Sequence, residues 1–193
     1  MTPQALVASR EVGDAVDTIL GFVNTRLEPK AGRVERFGSA DDFSDWARDN
    51  GLLGDETVTE SEAAAARELR SALVTVMLAH ADPASVTPQQ IADAERHLAH
   101  AGDLYPVRVT LSMRGSAVDG HSRGAAGIFG GVLAAANEIA LHSHWARLKA
   151  CSCDPCENGF VDRTKSGNQL YCGASCASRA AMRAMRERRR VDR

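Results

Sequence analysis

Apolar residues recur at helical spacing through most of the first 150 positions. Val12, Val16, Ile19, Leu20 and Val23 predict a helix over about residues 10–25, and Pro29 and Gly32 break the pattern after it. Ser39 and Asp42 cap a short helix carrying Phe43 and Trp46, which Asn50-Gly51 ends. Thr59-x-x-Glu62 is a capping box ahead of Ala65, Leu69, Leu73, Val76 and Met77, an amphipathic helix to about His80. Thr87-Pro88-Gln89-Gln90 repeats the device, with Pro88 at the first helical position and Gly102 at the predicted end.

The period then changes from helical to twofold. Val107, Val109, Leu111 and Met113 alternate with Arg108, Thr110 and Ser112, which predicts a half-buried strand, with residues 33–37 as its candidate partner. A glycine-rich turn region, residues 115–131, leads into a helix expected over about 128–148, which would deliver the chain to Cys151. His121 and Arg123 in that region could line an anion or small-molecule site, but no P-loop or dinucleotide fingerprint is present. His142 and His144 fall on different faces of a helix, which argues against chelation by that pair.

Four of the five cysteines form two pairs, Cys151-x4-Cys156 and Cys172-x3-Cys176, in a segment too polar to fold without a staple. Two thiol pairs on short turns suit one tetrahedral zinc ion. The commoner two-residue spacing, Cys153-Asp-Pro-Cys156, competes with Cys151, and spacing alone favours Cys153. Between the pairs, Phe160-Val161 and Leu170-Tyr171 flank Ser166-Gly167-Asn168, which reads as a β-hairpin. The second pair can open a helix, giving knuckle, hairpin and helix in a treble-clef-like order.

Charge separates the two ends. Residues 151–193 hold nine Lys/Arg against five Asp/Glu, while the remainder carries 14 basic and 20 acidic groups. An acidic body with a basic tail is the pattern of a protein whose one end meets a polyanion. On a helix beginning near Cys176, Arg179, Arg183, Arg186 and Arg190 share one face, and Arg188 and Arg189 extend the charge. Ala180, Ala184 and Met182 or Met185 would turn toward the hairpin. No continuous apolar leader or membrane span is visible, so the expected location is cytoplasmic, where clustered thiols read as metal ligands. No nucleophile elbow or zincin motif is present, and four thiolates leave no open coordination position, so no enzyme is expected.

The stretch from Cys151 through the arginines resembles the CGNR zinc finger, a C-terminal module of bacterial transcription regulators. Its F-x-D-x-[ST] element is here Phe160-Val161-Asp162-Arg163-Thr164, its [WY]-C is Tyr171-Cys172, and Cys176-Ala177-Ser178-Arg179 replaces Cys-Gly-Asn-Arg. The resemblance implies Cys151, Cys156, Cys172 and Cys176 as ligands of one structural zinc ion, with Cys153 an extra thiol inside the knuckle. Phe22-Val23-Asn24-Thr25-Arg26, Asp42 to Trp46 and Gly51-Leu52 resemble the stress-response regulator domain called ABATE, which usually precedes this finger.

The expected architecture is therefore mainly α, an α+β body with a small sheet over residues 1–148, and a treble-clef-like zinc finger with a basic helix over 149–193. The expected function is zinc-dependent binding of double-stranded DNA in transcription regulation. Arg179, Arg183, Arg186, Arg188, Arg189 and Arg190 would contact DNA, Arg179 and Arg183 reading base edges. The body would sense an effector or form a homodimer. Two other classes compete: an RNA- or protein-binding zinc module, and a thiol redox sensor using Cys153.

Overall fold

The computed structural model describes residues 10–26, 34–113 and 115–191. Pro29, Gly32 and Arg33 lie outside the described residues.

Local signals in the first half set helices where they fall. Helix α1 (Arg10–Val23) buries Val12, Ala15, Ile19, Phe22 and Val23, and α2 (Ala40–Asp49) is capped by the Ser39 hydroxyl accepting from the Asp42 N–H. Helix α3 (Glu60–Ala81) opens on the Thr59–Glu62 capping box, and α4 (Pro88–Leu104) on a Thr87–Gln90 box. Each reciprocal box satisfies two otherwise orphaned N–H groups. Helix α4 runs past Gly102 to a cap at Tyr105, because an exposed glycine costs only about 1 kcal/mol against the surrounding helix.

The core is aromatic. Phe37 sits 4.9 Å from Trp46, 5.0 Å from Phe43 and 5.1 Å from Phe22 between ring centroids, and Phe43 stacks on Phe129. Buried Arg70 lies over Phe37 and makes a forked pair with Glu35 at 2.7 and 3.0 Å while donating to Thr25 Oγ1 at 2.9 Å. This segment is thus anchored by buried Phe37 and by Glu35, with Val34 exposed, and residues 34–37 form no strand.

Strand β1 (Val107–Ser112) pairs instead with β2 (Gly115–Gly120), antiparallel, with Val109 opposite Val118. The expected half-burial of β1 is not found: every one of its residues is exposed, because the hairpin meets the body mainly through β2 on α5. Glycines make that contact possible. A Cβ on Gly120 would stand 2.2 Å from the Gly127 carbonyl oxygen, and one on Gly127 would stand 2.3 Å from that of Ser122. The glycine-rich stretch is a close backbone packing surface.

Helix α5 (Gly124–Leu141) is long and apolar enough to cross a membrane, yet it packs on α1 and β2 and buries Ile128, Phe129, Val132 and Ile139. It starts earlier and ends earlier than the pattern predicts. His142 caps it, Ser143 adopts a left-handed φ of 61°, and a 3-10 turn over Trp145–Arg147 follows. The chain then enters strand β3 (Leu148–Ala150), which begins at the expected end of the helix and which the sequence pattern does not predict. Leu148 and Ala150 belong to the body's core, so the approach to Cys151 is built into the fold rather than appended to it.

Candidate metal centre

Strand β3 pairs antiparallel with β4 (Gly159–Val161), Lys149 opposite Phe160. This corrects the expected hairpin: Phe160-Val161 pairs with the segment before the first cysteine, and Leu170-Tyr171 forms no strand. The Cys151 N–H donates to the Asn158 carbonyl at 3.0 Å, and the Cys156 N–H to the Cys153 carbonyl at 2.7 Å. The knuckle is therefore the tip of β3–β4, presenting Cys151 and Cys156 from one turn.

The second pair arrives by a buried ionic network. Asp162, fully buried, accepts from Lys149 Nζ at 2.8 Å, Thr164 Oγ1 at 2.6 Å and the Gln169 N–H at 2.9 Å. Lys149, itself 1% exposed, also donates to the Gly167 carbonyl at 2.7 Å. Burial alone would raise the Asp162 pKa, but these donors hold its carboxyl well below the usual range. Desolvation offsets much of the attraction in a buried pair, but removing either partner strands the other's charge. Here the pair folds residues 162–171 back so that the Ser152 N–H reaches the Leu170 carbonyl at 3.0 Å. Cys172 stands beside the knuckle and Cys176 lies in the first turn of α6 (Ala174–Val191).

The four sulfurs converge. The Sγ atoms of Cys151, Cys156, Cys172 and Cys176 all lie within 4.8 Å of one another. The Cys156–Cys172 and Cys172–Cys176 separations are both 3.7 Å. A zinc tetrahedron with Zn–S bonds of ~2.3 Å has sulfur–sulfur edges of about 3.8 Å, so the donor set fits one zinc ion. Cys151 and Cys176 are buried, and Cys156 and Cys172 are half-buried. Burial pushes the Cys151 thiol up to about 11 against hydrogen bonds that lower it, and burial with the neighbouring thiols raises Cys172 as well. A dication among the sulfurs reverses that preference by stabilising thiolates. Cys153 is buried beside the cluster and stands outside the four-sulfur group, so Cys151 is the ligand.

Arginines nearest the metal site face it. Arg179 Nη2 donates to Cys176 Sγ at 2.8 Å. Burial would raise the Cys176 thiol, yet this guanidinium, with hydrogen bonds from the other thiols, brings it down to about 7. Arg183 reaches the knuckle too, through Asp154 Oδ2 and the Asp154 carbonyl, each at 3.2 Å. Arg186, Arg188, Arg189 and Arg190 are exposed and make no ion pair among the described residues. Met182 and Met185 are exposed as well, and Ala180 alone of the predicted apolar contacts is even half-buried. Ala177 and Ser178, which replace the family's Gly-Asn, both lie within α6.

Two residues absent from the predicted site tie finger to body. The Asn24 side chain accepts from the Gly159 N–H at 2.7 Å and donates to the Gly159 carbonyl at 3.2 Å, and Arg26 pairs with Glu157. Gly159 packs closely on the body: a Cβ there would lie 2.7 Å from Val23 Cγ2 and 3.0 Å from Met77 Cε, so those side chains would have to shift to admit one. His121 and Arg123 form no joint anion site: Arg123 pairs with Glu56 at 3.2 Å, and His121 Nδ1 accepts from Arg108. His142 Nδ1 bonds within its own helix to Glu138. A broad groove of about 1630 Å³ lies between α1, α5, β2 and residues 50–56, with Asp14, Asp17 and Glu138 on its rim.

A family model described as a putative stress-induced transcription regulator (ABATE) matches residues 17–143, and the CGNR zinc finger model matches residues 147–189. No curated protein matches the chain. With the first model spanning more than half of its 193 residues and four cysteines set to hold one zinc ion, this chain belongs to the ABATE family and carries a CGNR zinc finger.

Proposed function

We propose that this chain is a cytoplasmic, non-catalytic transcription regulator that binds double-stranded DNA through α6, held in place by the zinc centre. The observation that carries the reading is the division of labour among the arginines. Arg179 is bonded to Cys176 in its own helix and Arg183 reaches Asp154 of the knuckle, while Arg186, Arg188, Arg189 and Arg190 stand exposed and unpaired among the described residues on the turns beyond. An 18-residue helix is about 27 Å long, and its unpacked half is of a size to lie in or across a major groove. The family description as a transcription regulator supports the same reading. The four outer arginines then supply phosphate contacts, while Arg179 is engaged at Cys176 and not at a base edge. The groove beside α1 and α5 is where an effector would reach the body.

The test is a comparison of binding by the zinc-loaded chain to duplex DNA, to RNA of matched length and to an acidic protein control. Tighter binding to duplex DNA, weakened by Arg186→Ala with Arg190→Ala, supports the proposal. Preference for RNA, or no nucleic-acid binding, moves the chain to the adaptor class. The redox reading finds little support, because oxidation needs an accessible thiolate and Cys153 is 4% exposed with its thiol raised by burial.

A further inference from the structure

We propose that the groove between α1, α5, β2 and residues 50–56 docks the basic helix α6 of a second copy of this chain. Charge is the first argument. Two basic side chains line the groove, and each is taken up by an acid of the same groove, Arg123 by Glu56 and His142 by Glu138, both at 3.2 Å. Asp14, Asp17, Asp55 and Asp119 also line it, stand exposed, and have no ion-pair partner among the described residues. Carboxylates gathered in one groove without a cation favour a cationic occupant. The groove's volume of about 1630 Å³ exceeds the roughly 300–1000 Å³ of small-molecule pockets and suits a helical segment.

Helix α6 supplies both halves of the match. Every residue from Ala181 to Arg190 is exposed, and beyond Arg183 no ion pair ties the helix to its own chain among the described residues. Met182, Met185, Arg186 and Arg189 fall at i, i+3, i+4 and i+7 and share one face. Phosphates make no use of methionines that are 52% and 43% exposed, whereas a groove with apolar walls does. Leu52 and Leu141, 48% and 70% exposed, line the groove beside its carboxylates. An apolar helix face against apolar walls, with cations on an acidic rim, is the helix-in-groove mode of recognition. Gly21 of α1 and Gly131 of α5 line the groove where a Cβ would meet nothing within 4 Å, which leaves room for a helix to come close. Helix α6 is one unbroken helix rooted at Cys176, and its outer turns lie exposed, outside the groove of their own chain. The fitting helix therefore comes from a neighbour.

Association of this kind does not depend on DNA binding; its consequence, that Arg186 and Arg189 are hidden from DNA, rests on the reading proposed for α6. An effector entering the groove would displace the helix. The test is sedimentation velocity on the full zinc-loaded chain from about 1 to about 100 μM at about 50 mM salt, where exposed charges are little screened. The expected species has twice the 20.6 kDa chain mass, because each chain gives one helix and takes one. Asp14→Lys with Asp17→Lys, or Arg186→Glu with Arg189→Glu, each weakens association at least ~10-fold with unchanged circular dichroism and zinc content. Mixing the two variants restores it, since the reversed helix then meets the reversed groove. Added duplex DNA breaks the dimer when the same arginines bind DNA; a dimer that passes the charge swap and ignores DNA supports the docking and counts against DNA binding alone. A monomer throughout, a dimer that neither reversal weakens, or a mixture that stays monomeric would overturn the proposal.

Discussion

Arg179 donates to the sulfur of Cys176 at 2.8 Å, three residues away along the same helix, and this contact turns the half-buried arginine toward the metal centre. Four thiolates around one zinc ion carry a net charge of about −2, and a guanidinium bonded to one of them offsets part of it. Arg179→Ala should therefore weaken zinc retention by about 10–100-fold, the usual cost of losing an outer-shell partner, with Arg179→Lys intermediate. Competition against a zinc chelator checks this. Unchanged retention in the alanine variant would assign Arg179 to some other partner.

Asn24 should couple the finger to the body. Its amide satisfies both main-chain groups of Gly159, and Asn24→Ala leaves them without that partner at a cost of about 1–3 kcal/mol. Denaturant midpoints report the cost. Hydrogen exchange should show faster loss of protection along β3 and β4 than in α4.

Acid should weaken the fold in two stages. His80, whose Nδ1 lies 2.9 Å from the Leu148 carbonyl, is held below its ordinary pKa, first by burial and then by the charge of Lys149. Asp162 is held below its own value by Lys149 and the hydrogen bonds around it. Both folded values are depressed, so each group contributes stability above its unfolded pKa, about 6.5 for His and about 3.9 for Asp, that is lost as pH falls toward the folded value. His80→Gln should lose less stability than the parent chain between about pH 7 and pH 5. Asp162→Asn, which leaves Lys149 buried without a counter-charge, should cost about 3–5 kcal/mol at neutral pH. Equal pH slopes in parent and His80→Gln would contradict the first assignment.

Gly120→Ala should lift the hairpin from α5. The added methyl would meet backbone atoms of Gly127 and Gly131 at 2.2 and 2.9 Å, and backbone cannot yield as a flexible side chain does. The expected cost is about 3 kcal/mol, at the upper end of ordinary overpacking. Thermal unfolding measures it, and Gly13→Ala, where a Cβ meets nothing within 4 Å, is the matched control.

The parts of this molecule legible in its sequence are those decided locally. Capping boxes at Thr59 and Thr87 and the cap at Ser39 placed three helix starts, because each motif satisfies its own N–H groups. The two cysteine pairs announced the metal site for a similar reason. What escaped was decided by distant partners or by unusual turns. β1 has the alternation of a half-buried strand, but all six of its residues are exposed. Helix α5 stops at a left-handed serine, Ser143, with no glycine or asparagine to mark it. Strand β3, only three residues long and starting where the predicted helix ends, carries no pattern of its own, and the partner of Phe160-Val161 was misassigned. Arg179 did carry a signal, its place three residues after Cys176, which on a helix puts the two side chains together.

If the exposed arginines beyond the zinc centre bind duplex DNA, affinity must fall steeply with salt. Fluorescence anisotropy of the zinc-loaded chain on duplex DNA should give a log–log slope near −0.9 per phosphate contacted, about −3 to −4 if all four outer arginines engage. Arg186→Ala with Arg190→Ala should reduce that slope by about 2 while leaving zinc content unchanged. A slope near zero, or one the double variant does not alter, would contradict the account.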